Sequence, residues 1–193
     1  MTRPDQSDYL AHFTKGGDAY DKLISILLSK TIRAGSMPWT DNPAVCFTEC
    51  PWPSLIGHAK RYSPYGVGFF KHHVFASGGG PAYYVRADHW KKQQWDEHVK
   101  TFVTPFWPDY RPTALRSQDY LSGKTIDFSH EREWRVPHNF TFGLDQVCFV
   151  IVKQYEDMAQ FPRELKDEIG RQRFVIMDIY KNIERLWPVH NIE

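Results

Sequence analysis

Two glutamates one residue apart, Glu131 and Glu133, stand in the stretch SHEREWRVPHNF. In an extended strand alternate side chains share a face. Glu131, Glu133 and Arg135 then point one way, and Trp134 and Val136 point the other way into a core. Like charges so close repel unless something positive accompanies them. One reading is an exposed strand face on which Glu and Arg pair. The other is chemical. One carboxylate anchors a ribose hydroxyl and stabilises positive charge, and the second orients an incoming nucleophile. Such a pair suits cleavage of a glycosidic bond through an oxocarbenium-like state.

The elements that would position these groups follow from periodicity. YLAHFT reads as a short strand. A helix over 18–30 follows, with Asp18 as N-cap and Tyr20, Leu23, Ile24, Leu27 and Leu28 on its buried side. AVCFTE is a buried strand. The segment 51–62 is a helix with prolines near its start. GVGFF is a strand, 71–75 a helical stretch, 78–80 a glycine turn and PAYYV a strand. Asp88 to Phe102 has helical character, and 103–125 reads as a long functional loop. EREWRV and QVCFVIV are strands, 163–170 is a helix, and RFVIMDIY is a last strand before a short helical tail. This order predicts one α+β domain over 1–193, with a split, mostly antiparallel sheet and flanking helices.

Bulk properties narrow the function classes. The 193 residues are 41% hydrophobic, which excludes a disordered chain, and a net charge of +1 gives no global field for nucleic acid. No apolar run approaches the length of a membrane span. The polar start, MTRPDQSDYLAHF, lacks a secretory apolar core. Three cysteines, an odd number, argue against a disulfide framework, so a cytoplasmic protein is expected. Cys46, Cys50 and His58 have partial zinc spacing without the further ligands of a closed site, and no metal is expected.

The segment YLAHFTKGGDAYDKLISILLSKTIRAG has the order strand, His-aromatic-Thr, amphipathic helix, small polar turn. It resembles the opening of ADP-ribosyltransferase-like domains, notably the DarT-type DNA-modifying toxins. EREWRVPHNFTF resembles the ExE element of that superfamily. VCFTE, YGVGFFK, PAYYV and EREWRV together resemble the AbiGi-type abortive-infection proteins of bacteria. The first resemblance implies an ADP-ribosyltransferase-like fold that consumes NAD and modifies a macromolecular acceptor, nucleic acid or protein. It implies Glu133 as the catalytic carboxylate and Glu131 as the residue that orients the acceptor. It places His12 and Thr14 on the cofactor, Thr48 in the pocket wall, and Tyr65, Phe69 or Tyr83 against the nicotinamide. Arg33 or Arg86 is an alternative to His12. His12 and Glu133 should then line one cleft. The AbiGi resemblance implies a phage-defence setting with a cognate toxin or antitoxin, and a non-catalytic antitoxin or sensor on the same fold.

Overall fold

Alternating apolar residues build the centre of the molecule. The computed structural model describes residues 6–49, 56–57, 59, 61–90, 92–108 and 126–186. The chain opens with β1 (Tyr9–Phe13) and α1 (Ala19–Ser29), followed by β2 (Thr31–Ile32), β3 (Gly35–Ser36) and β4 (Pro43–Thr48). Residues 56, 57, 59 and 61 are helical. Next come β5 (Gly66–Phe70), α2 (Lys71–Ala76), β6 (Gly80–Pro81) and β7 (Tyr83–Arg86). Two single helical turns, α3 (Ala87–Trp90) and α4 (Glu97–Lys100), precede β8 (Val103–Phe106). A 3-10 turn at Ser129–Glu131 leads into β9 (Glu133–Val136) and β10 (Phe140–Thr141), and β11 (Val147–Val152) follows. The remaining elements are α5 (Tyr155–Gln160), α6 (Arg163–Ile169), β12 (Phe174–Ile176) and α7 (Met177–Leu186).

Among the described residues the main sheet runs β12-β11-β5-β1-β4-β9-β6, with β3 beside β4. Its pairs are antiparallel except β11 with β12, so the expected α+β class with a mostly antiparallel sheet is what forms. β1 and β4 meet through one ladder pair, Ala11 with Thr48. β7 and β8 form a separate parallel pair. No described helix is long and apolar enough to cross a membrane.

The sheet has two unlike faces. Leu10, Val45, Phe47, Val67, Phe69 and Val136 pack with Leu23 and Leu27 of α1 in the main core. Ala11, Ile151 and Met177, with Phe13 and Phe149 against them, form a smaller cluster on the other side. Gly68 opposes Ala11, and Phe149 lies flat over it: a Cβ built at Gly68 would fall 2.2 Å from Phe149 Cζ.

Several expectations are corrected. Asp18 stands at the N-cap position, but its side chain makes no cap hydrogen bond and pairs with Lys22 at 2.8 Å. Glu131 is not on a strand: it closes the 3-10 turn, and Arg132 takes a left-handed backbone (φ 45°) before β9 begins. The helix expected over 88–102 breaks into two turns because Asp96 starts the second, its carboxylate accepting from His98 N at 2.9 Å. Residues 103–106 are strand rather than loop; Pro105 is tolerated because β8 pairs with β7 alone. The last expected strand stops at Ile176, where Met177 begins α7; a short apolar run does not separate strand from buried helix start. Cys50, His58 and 109–125 lie outside the described residues.

Gly68→Ala should lower stability by about 1–3 kcal/mol, since the added methyl displaces a packed ring. Gly35→Ala, where a Cβ meets open space, should change it by less than about 0.5 kcal/mol. Urea unfolding of both variants measures the contrast.

Candidate functional site

Directly opposed strand residues share a face. Ala11 opposes Thr48, Thr48 opposes Glu133, and Cys46 opposes Arg135. These side chains therefore stand together on the side of the smaller cluster. The 3-10 turn brings Glu131 to the same place, because Thr48 Oγ1 donates to Glu131 O at 2.5 Å. Tyr62 arrives from the end of the helical stretch at 56–61, and Tyr84 from β7. The two carboxylates do converge, although Glu131 reaches the site from a turn.

Each carboxylate has its own positive partner. Arg135 is 1% exposed and forks onto Glu133, with Nε to Oε1 at 3.0 Å and Nη2 to Oε2 at 2.8 Å. Its Nη1 donates to Thr101 O at 2.8 Å and Val103 O at 3.2 Å, and Nη2 also donates to Thr104 Oγ1. All five guanidinium N–H groups are thereby used. Glu131 is buried and accepts from Tyr62 Oη at 3.0 and 3.2 Å and from Arg61 Nη1 at 3.3 Å. The positive charge that the sequence calls for stands beside each carboxylate, not between the two.

These surroundings hold nearby groups in their protonated forms. Burial, and then the Glu131 charge, pushes the Tyr62 phenol up. Burial and then Glu133 does the same for Tyr84, whose hydroxyl donates to Phe128 O at 3.0 Å. Burial and then Glu133 also raises the Cys46 thiol, so it is no nucleophile at neutral pH. The cluster holds protonated donors around two neutralised carboxylates. Among the described residues no group of three or more His, Cys, Asp or Glu side chains could hold a metal ion.

Of the residues expected around a cofactor, Thr48 shares this place, and His12 and Phe69 do not. His12 follows Ala11 and opposes Val67, so it lies on the other face, with its ring against Phe47 at 5.9 Å. The pleat of β1 thus sends His12 to the face opposite Glu133. Phe69 is fully buried, edge-on to Phe47, Phe140 and Phe142, and no face of it is open to a ligand. Tyr65 donates to Asp157 Oδ2 at 2.9 Å and packs on Tyr20. Thr14 is buried with its hydroxyl at Ala19 O and Tyr65 O, clasping the start of α1. Tyr83 is 46% exposed and lies over Phe102. Arg33 is exposed, and Arg86 is exposed and pairs with Asp88. Of the residues assigned to NAD, Thr48 therefore stands beside Glu133, and His12 and Phe69 lie on the opposite face of the sheet.

Sequence reading missed Tyr62, Tyr84 and Arg61. Nothing in their spacing to Glu131 or Glu133 signals an approach that depends on the return of two separate elements. Arg135 had a signal, its place two residues after Glu133 on one strand face.

His12 Nδ1 lies 2.8 Å from Cys46 O, and a carbonyl only accepts, so this nitrogen carries the proton. Burial lowers the His12 pKa, opposed in part by that bond. The unfolded imidazole, near 6.5, takes up a proton that the folded one resists. Stability is full above that value and declines as pH falls from it toward the lowered folded pKa. His12→Asn keeps an N–H donor and should flatten that part of the pH dependence, measured by urea midpoints between about pH 7.5 and 5.5. Separately, Glu133→Gln should cost about 3–5 kcal/mol by leaving Arg135 buried without its counter-charge. The double variant Glu133→Leu/Arg135→Met should lose far less than the two singles combined, as a double-mutant cycle measures.

Residues 24–106, from within α1 to the end of β8, match the family described as "Putative abortive phage resistance protein AbiGi, antitoxin". No curated protein and no solved structure matches the chain. The matched span holds Thr48, Tyr62 and Tyr84 and stops before Glu131 and Glu133, so the similarity to AbiGi-type proteins covers 24–106 alone, less than half of the chain.

Proposed function

We propose that this chain is a non-catalytic, antitoxin-type component of an abortive phage-infection system, and that it acts by gripping a cognate toxin protein. One observation carries the reading: Glu133 is already neutralised by a fully bonded Arg135. A carboxylate that must meet a developing cation acts through an unspent charge. Here that charge is spent on a buried structural pair. Glu131 is similarly held by Tyr62 and Arg61. The family description over 24–106 supports the antitoxin setting. Leu28, which the periodicity put on the buried side of α1 but which is 60% exposed, and the exposed Phe75 and Tyr83 are candidates for the contact with the toxin.

The competing reading is transfer of ADP-ribose from NAD to a nucleic-acid or protein acceptor. What favours it is the convergence of Glu131, Glu133 and Thr48, and it requires Arg135 to release Glu133.

Co-expression with the cognate toxin separates the two. The wild-type chain should restore growth, and Leu28→Asp with Phe75→Asp should weaken that protection without unfolding the protein. Purified chain given NAD, with or without nucleic acid, should release nicotinamide no faster than buffer. Sustained nicotinamide release, or toxicity of the chain when expressed alone, would replace the antitoxin reading with the transferase one.

A further inference from the structure

At the Tyr9 end of the sheet, on the far side of β5 from the carboxylates, lies a half-open cavity of about 420 Å³. That volume is in the range of small-molecule sites. Tyr9, Phe70 and Phe149 line it, with His73, Arg173 and Asp145. Tyr9 and Phe70 stack with centroids 4.9 Å apart, yet they remain 40% and 36% exposed. Phe149 meets Tyr9 edge-on at 5.9 Å, and Gly68 beneath it gives the room it needs. An aromatic surface this open presents a platform for a planar ring.

The polar groups there are unevenly satisfied. Arg173 is anchored through Nη1, which donates to Val147 O at 2.5 Å and to Asp145 O at 3.3 Å. Its Nε and Nη2 make no hydrogen bond to the described residues. His73 Nδ1 is buried and has no hydrogen-bond partner among them. A buried polar atom left unpaired is costly, and a bound group is one way to satisfy it. A guanidinium held in place beside an aromatic platform suits an anionic group on a planar ring. The Asp145 carboxylate is exposed, so solvent screens its charge.

We infer that this cavity binds a planar aromatic ring carrying an anionic group, the chemistry of a mononucleotide, with the ring on Tyr9, Phe70 and Phe149 and the anion on Arg173. None of these residues takes part in the carboxylate cluster, and the inference does not rest on the antitoxin reading.

Isothermal titration of the full chain tests it with adenosine monophosphate, uridine monophosphate and benzoate as probes, and with adenosine and inorganic phosphate as partial ligands. At least one ring-bearing anion should bind with a Kd below about 1 mM. Adenosine and phosphate alone should bind at least about tenfold more weakly than the best probe. Preference for the nucleotides or for benzoate assigns the anion as phosphate or carboxylate. Arg173→Gln should weaken the best probe by about tenfold or more. Tyr9→Leu, at an exposed position that leaves the core intact, should weaken it by about tenfold, with thermal unfolding confirming that both variants fold. Failure of all three probes to bind, or unchanged affinity in a folded Tyr9→Leu variant, would overturn the inference.

Discussion

Arg135 is a charged side chain deep inside a small α+β protein, and much of the surrounding architecture answers the need to keep it solvated by protein. Taking a guanidinium out of water is costly unless every donor is met and a counter-charge is close. Both conditions are fulfilled by different parts of the chain. Glu133 on the same strand supplies the charge, and Thr101, Val103 and Thr104 supply the remaining acceptors. The guanidinium thereby ties the end of α4 and the start of β8 to the main sheet at β9. That tie is valuable because β7 and β8 form a sheet of their own. It acts beside the main-chain bond from Ala82 N to Glu133 O at 2.8 Å, next to a small core of Ala87, Trp107 and Ile126 with Trp39 against it.

The pair then organises what stands around it. With Glu133 fixed, Thr48 opposite it is fixed, and Thr48 holds the 3-10 turn through Glu131 O. Glu131 is thereby presented to Tyr62 and Arg61, which come from the segment before β5. A chain of local satisfactions thus draws three distant stretches together. Burial costs the carboxylates hydration, and the partners return it. A site meant for strong transition-state electrostatics keeps its charges pre-organised but open to the reacting atoms. This one has closed its charges upon itself, which is the pattern of a satisfied buried polar network.

The strong periodic signals were legible in the sequence. α1 shows its helical stripe, and β1, β4, β5 and β11 show their apolar runs, because burial of one face leaves a pattern that needs no tertiary information. The pairing of Glu133 with Arg135 was also legible, since residues two apart on a strand share a face. Its burial was not, because that depends on carbonyls more than thirty positions away. Glu131 was misplaced onto the strand because Arg132 adopts a left-handed backbone that no side-chain pattern announces. The face of His12 was not legible either. Whether it joins Glu133 depends on register, and a single residue of register decides the face. Two ladder pairs, Ala11 with Thr48 and Thr48 with Glu133, settle that parity, and no spacing along the chain encodes them.

The same parity explains why the molecule has a charged region and an aromatic cavity on one side and a dry core on the other. On the core face β1 and β5 present Leu10, Val67 and Phe69, large side chains that close against α1 and against Phe140 and Phe142. On the opposite face β1 and β5 present Ala11, Gly66 and Gly68, which give little to pack against. Rings from elsewhere fill that shallow floor, Phe13 over Gly66 and Phe149 over Gly68. A floor so shallow cannot generate a deep apolar core, so polar groups can approach it from both flanks. At one flank they meet each other and neutralise. At the other, Arg173 meets only main-chain carbonyls and His73 keeps an unpaired nitrogen. The difference between the two flanks is therefore one of satisfaction among the described residues: the carboxylates have their counter-charges, and the cavity borders a buried nitrogen without a hydrogen-bond partner.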